Sequence, residues 1–107
     1  MDKLLYNSLL YDFYGELVTD KQRDAYHMYY CDDMSLAEIG ERLGISRQAV
    51  NFSIKQARRG FEEYEAVLNL VHQHVRAKDC VAALRGALEN RDLTESINLL
   101  TELEKLL

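Results

Sequence analysis

A short helix and the turn that leads into the next helix are encoded over residues 35–46, and this segment constrains the possible folds more than any other. Ser35 and Glu38 have the spacing of a capping box, in which each side chain satisfies a free backbone amide at a helix start. Gly44 can adopt the left-handed conformation that ends a helix, and Ser46 can cap the helix that follows. The segment therefore predicts a helix-turn-helix whose first helix ends near Leu43.

Apolar residues on both sides of this turn support the prediction. Two helices that cross closely need a small residue at the contact, and Gly40 supplies it. Apolar side chains must then cover the crossing, and the candidates are Ile39, Leu43, Ile45 and Val50. We therefore expect one face of each helix to be buried.

Helical patterns also fill the rest of the chain, which contains no proline and only five glycines among 107 residues. Apolar spacing predicts a first helix over 3–18, and Thr19 with Gln22 forms a second capping box for a helix ending near Tyr30. A leucine-rich pair of helices follows Asp79, and the second of them begins at Asp92. We therefore predict an all-α fold.

One of these helices is expected to be unusually long. Apolar residues recur at alternating spacings of four and three between Val50 and Val75. This period predicts a single recognition helix that starts at Ser46 and continues for about seven turns. Because such a helix is longer than one small core requires, we expect its 61–75 part to pair with a second copy of the protein.

The length of 107 residues indicates one domain and is too short for an enzyme with a cleft between two lobes. We predict a single domain, 1–107, with a helix-turn-helix core over 17–60 and a helical extension over 61–107. The extension is expected to mediate dimerisation, so the protein is predicted to be a homodimer.

Motifs for chemistry are missing from the sequence. It has no glycine-rich phosphate loop, no paired carboxylates beside an apolar cleft pattern, and no nucleophile with a base at a recognised spacing. Its cysteines and histidines lack the spacing of metal ligands. We therefore predict a protein that is not an enzyme and that has no catalytic residue, no cofactor and no metal site.

Membrane insertion is also not expected. No apolar run approaches the roughly 18 residues that are needed to cross a bilayer, and the first residues lack a signal-peptide pattern. These features favour a cytoplasmic protein without membrane contact.

The distribution of charge gives the strongest indication of function. Residues 46–60 carry four basic side chains and no acidic one, within a chain whose net charge is −5. The remainder of the molecule therefore carries a net charge of −9. Such a concentration of positive charge on one helix is typical of a nucleic-acid contact, although a basic helix face is also common as ordinary solvated surface.

The side chains that point outward from the second helix define the candidate site. The residues predicted to bind nucleic acid are Arg47, Gln48, Asn51, Lys55, Arg58 and Arg59. The first four suit base edges, because arginine and lysine favour guanine while asparagine and glutamine can pair with adenine. The last two suit phosphates, as do Lys21 and Arg23 on the preceding helix.

A resemblance to known families appears at these residues. The segment over 17–57 resembles the promoter-reading C-terminal domain of bacterial sigma factors, in which a T-x-x-Q-R start precedes a motif like SLAEIGERLGISR. More specifically, the segments LYDFYGELVTDKQR, YYCDDMSLAEIGERLGISRQAVNFSIKQ and FEEYEAVLNL resemble the YlxM family, small bacterial cytoplasmic proteins linked to the signal recognition particle pathway. The resemblance covers about the first seventy residues.

The resemblance implies a sigma-factor-like helix-turn-helix bundle that binds nucleic acid and acts as a regulator or accessory of the signal recognition particle. DNA is the expected partner, RNA is the alternative, and components of the particle are further candidates. The six residues named above would then be the contact positions. Because no accompanying segment matches the sigma domains that melt a promoter or hold polymerase, we do not expect a complete sigma factor.

A second hypothesis remains open from the charge distribution. The helix-turn-helix would serve only as a scaffold, and the acidic remainder of the surface would dock a basic protein such as the targeting GTPase or polymerase. The protein would then be an interaction module rather than a nucleic-acid-binding protein.

Overall fold

A computed structural model describes residues 2–107, and within them all regular secondary structure is helical. The elements are α1 (Lys3–Tyr14), a short 3-10 helix (Gly15–Leu17), α2 (Asp20–Tyr30), α3 (Leu36–Leu43), α4 (Arg47–Leu68), α5 (Leu70–Glu89) and α6 (Leu93–Lys105). The predicted all-α fold with a helix-turn-helix is confirmed. In the described part of the chain, none of the helices combines the length and apolar character that crossing a membrane requires.

The predicted caps are present at the starts of α2, α3 and α4. The Thr19 hydroxyl accepts a hydrogen bond from the Gln22 amide at 3.2 Å, and the Gln22 side chain accepts one from the Thr19 amide at the same distance. Ser35 and Glu38 form the same reciprocal pair at 3.1 and 3.2 Å. At the start of α4, the Ser46 hydroxyl accepts a hydrogen bond from the Ala49 amide at 3.1 Å. Each cap satisfies amides that a helix start leaves free.

The turn between α3 and α4 brings two stretches of backbone unusually close. Gly44 adopts a left-handed φ of 69°, and the Ile45 amide donates to the Gly40 carbonyl at 2.9 Å. A Cβ atom added at Gly40 would lie only 2.6 Å from the Ile45 carbonyl oxygen. Glycine at residue 40 therefore permits a turn that a larger residue would force apart.

The first compact unit extends to Asn69 and encloses an aromatic core. Tyr26 is fully buried, its ring meets that of Phe61 edge-on with centroids 4.8 Å apart, and its hydroxyl donates to the Asn7 carbonyl at 2.8 Å. Burial raises the pKa of Tyr26, so this hydroxyl stays protonated and remains a donor. The large side chains that complete the core are Leu10, Tyr14, Ile39 and Val50.

The predicted long helix is interrupted at Asn69. This residue adopts a left-handed φ of 57°, and its amide donates to the Glu65 carbonyl at 2.9 Å, which ends α4. Asparagine tolerates this conformation better than most residues, so the break costs little. The prediction of one continuous helix to Val75 is therefore wrong. Phe61 is also fully buried, so it cannot start an exposed seam for pairing with a second copy.

The first helix also ends earlier than the predicted bound at residue 18. Its α-helical part stops at Tyr14, and the chain continues as the 3-10 helix from Gly15 to Leu17. Gly15 is the point of change, which agrees with the low helix propensity of glycine.

The second compact unit runs from Leu70 to Leu107 and consists of α5 and α6, which contact each other. The Asp92 side chain accepts from the Glu95 amide at 3.0 Å, which confirms the predicted start of the last helix. Large apolar residues remain exposed on both helices, namely Leu70, Val81, Leu88, Leu93, Ile97 and Leu100. This unit thus leaves much of its apolar surface in water.

Replacement of Gly40 by alanine tests the close approach of the α3–α4 turn. We expect Gly40→Ala to lower the free energy of unfolding by about 1–3 kcal/mol, because the added methyl group meets backbone rather than a flexible side chain. Gly86→Ala is the matched control, since nothing lies within 4 Å of its added Cβ atom. That variant should be as stable as the parent or more so. Urea unfolding measures both, and equal stability of the two variants would contradict the role of Gly40.

Candidate nucleic-acid interface

The candidate interface lies on the first turns of α4, whose orientation is fixed by its buried face. Val50, Ile54 and Ala57 are buried on the inner side of the helix, at spacings of four and three. The side chains on the opposite side consequently project away from the core. This is the face that a recognition helix of a helix-turn-helix presents to DNA.

The structure places most of the predicted contact residues on the outside. Arg47, Gln48, Lys55 and Arg59 are exposed, whereas Asn51 and Arg58 are half-buried. The six residues therefore do not contribute equally to one surface. Gln48, Lys55 and Arg59 share the outer face, and Arg47 lies at the capped end of the helix.

The four basic residues fall into two pairs with different surroundings. Within residues 2–107, Arg47 and Lys55 make no ion pair with a carboxylate. By contrast, Arg59 pairs with Glu63 at 3.2 Å, four residues further along α4. Positive charge that is free to meet a polyanion is therefore concentrated in the first turns of the helix.

Arg58 has a structural role that the sequence did not indicate. Its guanidinium donates to the Glu62 carboxylate at 3.0 Å and to the Tyr30 hydroxyl at 3.3 Å, which connects α4 to α2. Burial acts to lower the pKa of Arg58, but the hydrogen bonds to Glu62 and Tyr30 outweigh it and raise that pKa above its usual value. Arg58 is thus less available to a phosphate than predicted.

The two additional phosphate positions on α2 also differ from each other. Arg23 lies 3.3 Å from Asp20, 3.5 Å from Glu16 and 3.7 Å from Asp24, so three carboxylates neutralise it. Lys21 is exposed and has no such partner within the described residues. Of Lys21 and Arg23, only Lys21 has a positive charge that no carboxylate of the described residues neutralises.

Two exposed residues of the helix-turn-helix were not part of the sequence-based prediction. Phe52 is 64% exposed on α4, and Arg42 is exposed in the last turn of α3 without an ion pair among residues 2–107. Helical spacing was sufficient to find Phe52, because it follows Gln48 by four residues and precedes Lys55 by three. An aromatic residue is, however, usually assigned to the core.

The backbone adds to the positive potential at this end of α4. A helix start carries a partial positive charge from its unpaired amides, and the first turn of α4 contains no acidic residue that would cancel it. Glu38 and Glu41 on α3 and the acidic residues after Gly60 limit the surface on either side. The favourable region is therefore compact and spans about three turns.

Comparison with known proteins identifies a family for this arrangement. Residues 1–101 match the profile of UPF0122, described as "Putative helix-turn-helix protein, YlxM / p13 like". The chain belongs to the UPF0122 family. The resemblance to the YlxM family that was inferred from the motifs is thereby confirmed.

Several UPF0122 relatives extend this similarity over most of the chain. A UPF0122 protein of Caldanaerobacter subterraneus is 53% identical over 73 residues, which are 68% of this chain and 62% of the relative. One from a Thermoanaerobacter species is 44% identical over 88 residues, or 82% of this chain and 75% of the relative. One from Shouchella clausii is 39% identical over 107 residues, covering 99% and 98% of the two chains.

Among residues 2–107, no three histidine, cysteine or acidic side chains are grouped so that they could hold a metal ion. The surface described above offers cations, amides and one apolar ring.

The different surroundings of Arg58 and Arg59 can be tested by comparing how much each side chain contributes to the free energy of unfolding. We expect Arg58→Ala to lower the free energy of unfolding by about 1–2 kcal/mol, because it removes the hydrogen bond to Tyr30 that joins α4 to α2 together with the pair to Glu62 within α4. Arg59→Ala removes the same charge from an exposed surface pair and should cost about 0.5 kcal/mol or less. Thermal unfolding of both variants provides the comparison. Equal losses would show that Arg58 is an ordinary surface residue.

Proposed function

We propose that this UPF0122 protein binds duplex DNA through the first turns of α4 and acts as a regulatory or accessory protein without enzymatic activity. The observation that carries the proposal is the pair of unneutralised cations, Arg47 and Lys55, on the exposed face of a helix-turn-helix. Phosphates attract such groups strongly, because binding releases the counterions condensed on DNA.

The acidic remainder of the molecule supports one binding orientation over others. Outside residues 46–60 the net charge is −9, so most other faces would bring carboxylates towards the phosphates. The start of α4 is therefore the face that approaches a polyanion most favourably. Arg42 at the end of α3 and Lys21 on α2 are suitable for flanking phosphates.

The residues of this face also suit base recognition. In a helix-turn-helix the N-terminal part of the second helix lies in the major groove, where base edges carry distinct patterns of donors and acceptors. Arg47 is suited to guanine, and the exposed amide of Gln48 is suited to adenine. Asn51 is half-buried, so its side chain would have to extend further to contact a base, and we assign it a smaller role in base recognition.

Helix geometry favours DNA over double-stranded RNA for this site. The major groove of an RNA duplex is too deep and narrow for side chains on a helix to read, so only loops or ends of RNA would suit α4. A role in the signal recognition particle pathway is supported by the YlxM resemblance alone. It would require contact with a structured RNA or with a protein of the particle.

A protein-interaction module is the second candidate, and one surface of the first unit favours it. A groove of about 600 Å³ lies between the start of α2 and the later turns of α4, with Glu16, Leu17, Glu63 and Val67 among its lining residues. It combines apolar side chains with two carboxylates, which a basic amphipathic segment of a targeting GTPase or polymerase would bind in place of Arg23 and Arg59. Capture of a partner that survives loss of Arg47 and Lys55 would favour this function.

Dimerisation is part of the proposed function and is assigned to the second unit. Below about 40 residues a chain rarely buries enough apolar surface to fold alone, and α5 with α6 leaves six large apolar side chains exposed. α5 carries three basic and two acidic residues, while α6 carries three acidic residues and one basic residue. Two-fold pairing that sets α5 of one protomer against α6 of its partner would therefore match charges and cover the apolar residues.

The salt dependence of DNA binding tests the main proposal. For a duplex of about 30 base pairs, we expect the affinity to fall as salt rises, and we expect Arg47→Ala or Lys55→Ala to reduce the slope of log affinity against log salt by about 0.9 each. Lys105→Ala is the control, since it removes one positive charge that is paired with Glu102 on α6. Fluorescence anisotropy measures all four proteins. A parent slope near zero, or an equal effect of Lys105→Ala, would refute the assigned face.

The proposed dimer surface is tested by introducing charge into it. We expect the parent protein to sediment as a dimer at tens of micromolar, and the double variant Leu93→Glu with Ile97→Glu to sediment as a monomer, because carboxylates would be buried unpaired. Asn98→Glu adds charge to an exposed polar position of α6 and should leave the dimer intact. A monomeric parent, or a dimer that persists in the double variant, would exclude this surface.

A further inference from the structure

We infer that Phe52 contacts bases directly and recognises the 5-methyl group of thymine. This inference rests on the proposed DNA-binding function and deepens it. It begins from the exposure of the ring, since 64% of Phe52 is accessible to water on a helix whose opposite face is well packed.

The position of Phe52 places it in the centre of the candidate interface. Gln48 precedes it by four residues and Lys55 follows it by three, so the three side chains lie side by side on the outer face of α4. Any polyanion that meets Lys55 therefore also meets the phenyl ring.

The ring of Phe52 takes part in none of the aromatic contacts described for residues 2–107. Those contacts join tyrosines, a histidine and the other phenylalanines. Burial of a phenyl side chain is among the larger favourable contributions that one residue can make. In Phe52 this contribution remains unused until a partner covers the ring.

The surroundings of the ring determine which partner fits. Lys55 is an unpaired cation beside Phe52, and residues 46–60 contain no carboxylate that would attract a basic protein. The partner must therefore offer negative charge together with a small apolar group. The major groove of DNA combines both, because phosphates flank it and thymine is the base that projects a methyl group into it. RNA carries uracil instead, which lacks that methyl group.

Replacement of Phe52 by tryptophan provides a direct probe, because the chain contains no tryptophan. In Phe52→Trp, we expect the indole emission to be quenched when an alternating A·T duplex of about 30 base pairs is added at low salt. Val67→Trp is the matched control, since it places the only indole on the same helix at a site that is 82% exposed and lies outside the interface. Its emission should not change.

Removal of the thymine methyl group tests the chemistry. We expect the parent protein to bind the alternating A·T duplex about fourfold more tightly than the same duplex with uracil in place of thymine, which corresponds to burial of one methyl group. Phe52→Ala should lose this preference and keep the salt dependence of the parent, whereas Phe52→Leu should retain part of the preference. The retained salt dependence also shows that Phe52→Ala is folded.

The results separate the inference from the function on which it rests. No salt-dependent binding of DNA by the parent protein would overturn the proposed function and the role of Phe52 together. Salt-dependent binding with unchanged Phe52→Trp emission, or with equal affinity for the thymine and uracil duplexes, would overturn the role of Phe52 alone. Quenching together with a preference that disappears in Phe52→Ala would establish it.

Discussion

The backbone contact between Gly40 and Ile45 is the constraint on which the rest of the first unit depends. Because a Cβ atom at residue 40 would come within 2.6 Å of the Ile45 carbonyl oxygen, α3 and α4 can meet only through glycine at this point. The left-handed Gly44 and the Ser46 cap then set the direction in which α4 leaves the turn. Once that direction is fixed, the inner face of α4 joins the aromatic core and the outer face is available to a partner.

The amount of unpaired positive charge decreases along α4, because carboxylates pair with the basic residues of its later turns. Near the start of the helix, Arg47 and Lys55 are at positions where no carboxylate of the described chain pairs with them. Further along, Arg58 and Arg59 each meet a glutamate four residues ahead, and this pairing both stabilises the helix and removes free charge. A helix that appears uniformly basic over residues 46–60 is thus a short basic surface followed by a neutralised segment.

The two units differ in how they are stabilised. The first buries tyrosines, phenylalanine and aliphatic side chains, with buried hydroxyl groups such as that of Tyr26 satisfied by hydrogen bonds. The second is a pair of helices whose large side chains, Leu93 and Ile97 among them, stay exposed. Exposed apolar surface of this kind is unusual for an isolated unit and favours association. The proposed recognition and assembly surfaces therefore lie on different parts of the chain.

The sequence by itself determined the caps, the turn at Gly44, the helical class and the family, because each depends on residues within about one helical turn or on a recognisable motif. The tertiary structure alone decided where α4 ends, since Asn69 could continue a helix or leave it without a change in the apolar period. It also decided that Arg58 meets Tyr30, which is distant in sequence. Helical spacing places Phe52 on the outer face of α4, but only the tertiary structure shows that the core leaves its ring exposed, because that core is built from residues far along the chain.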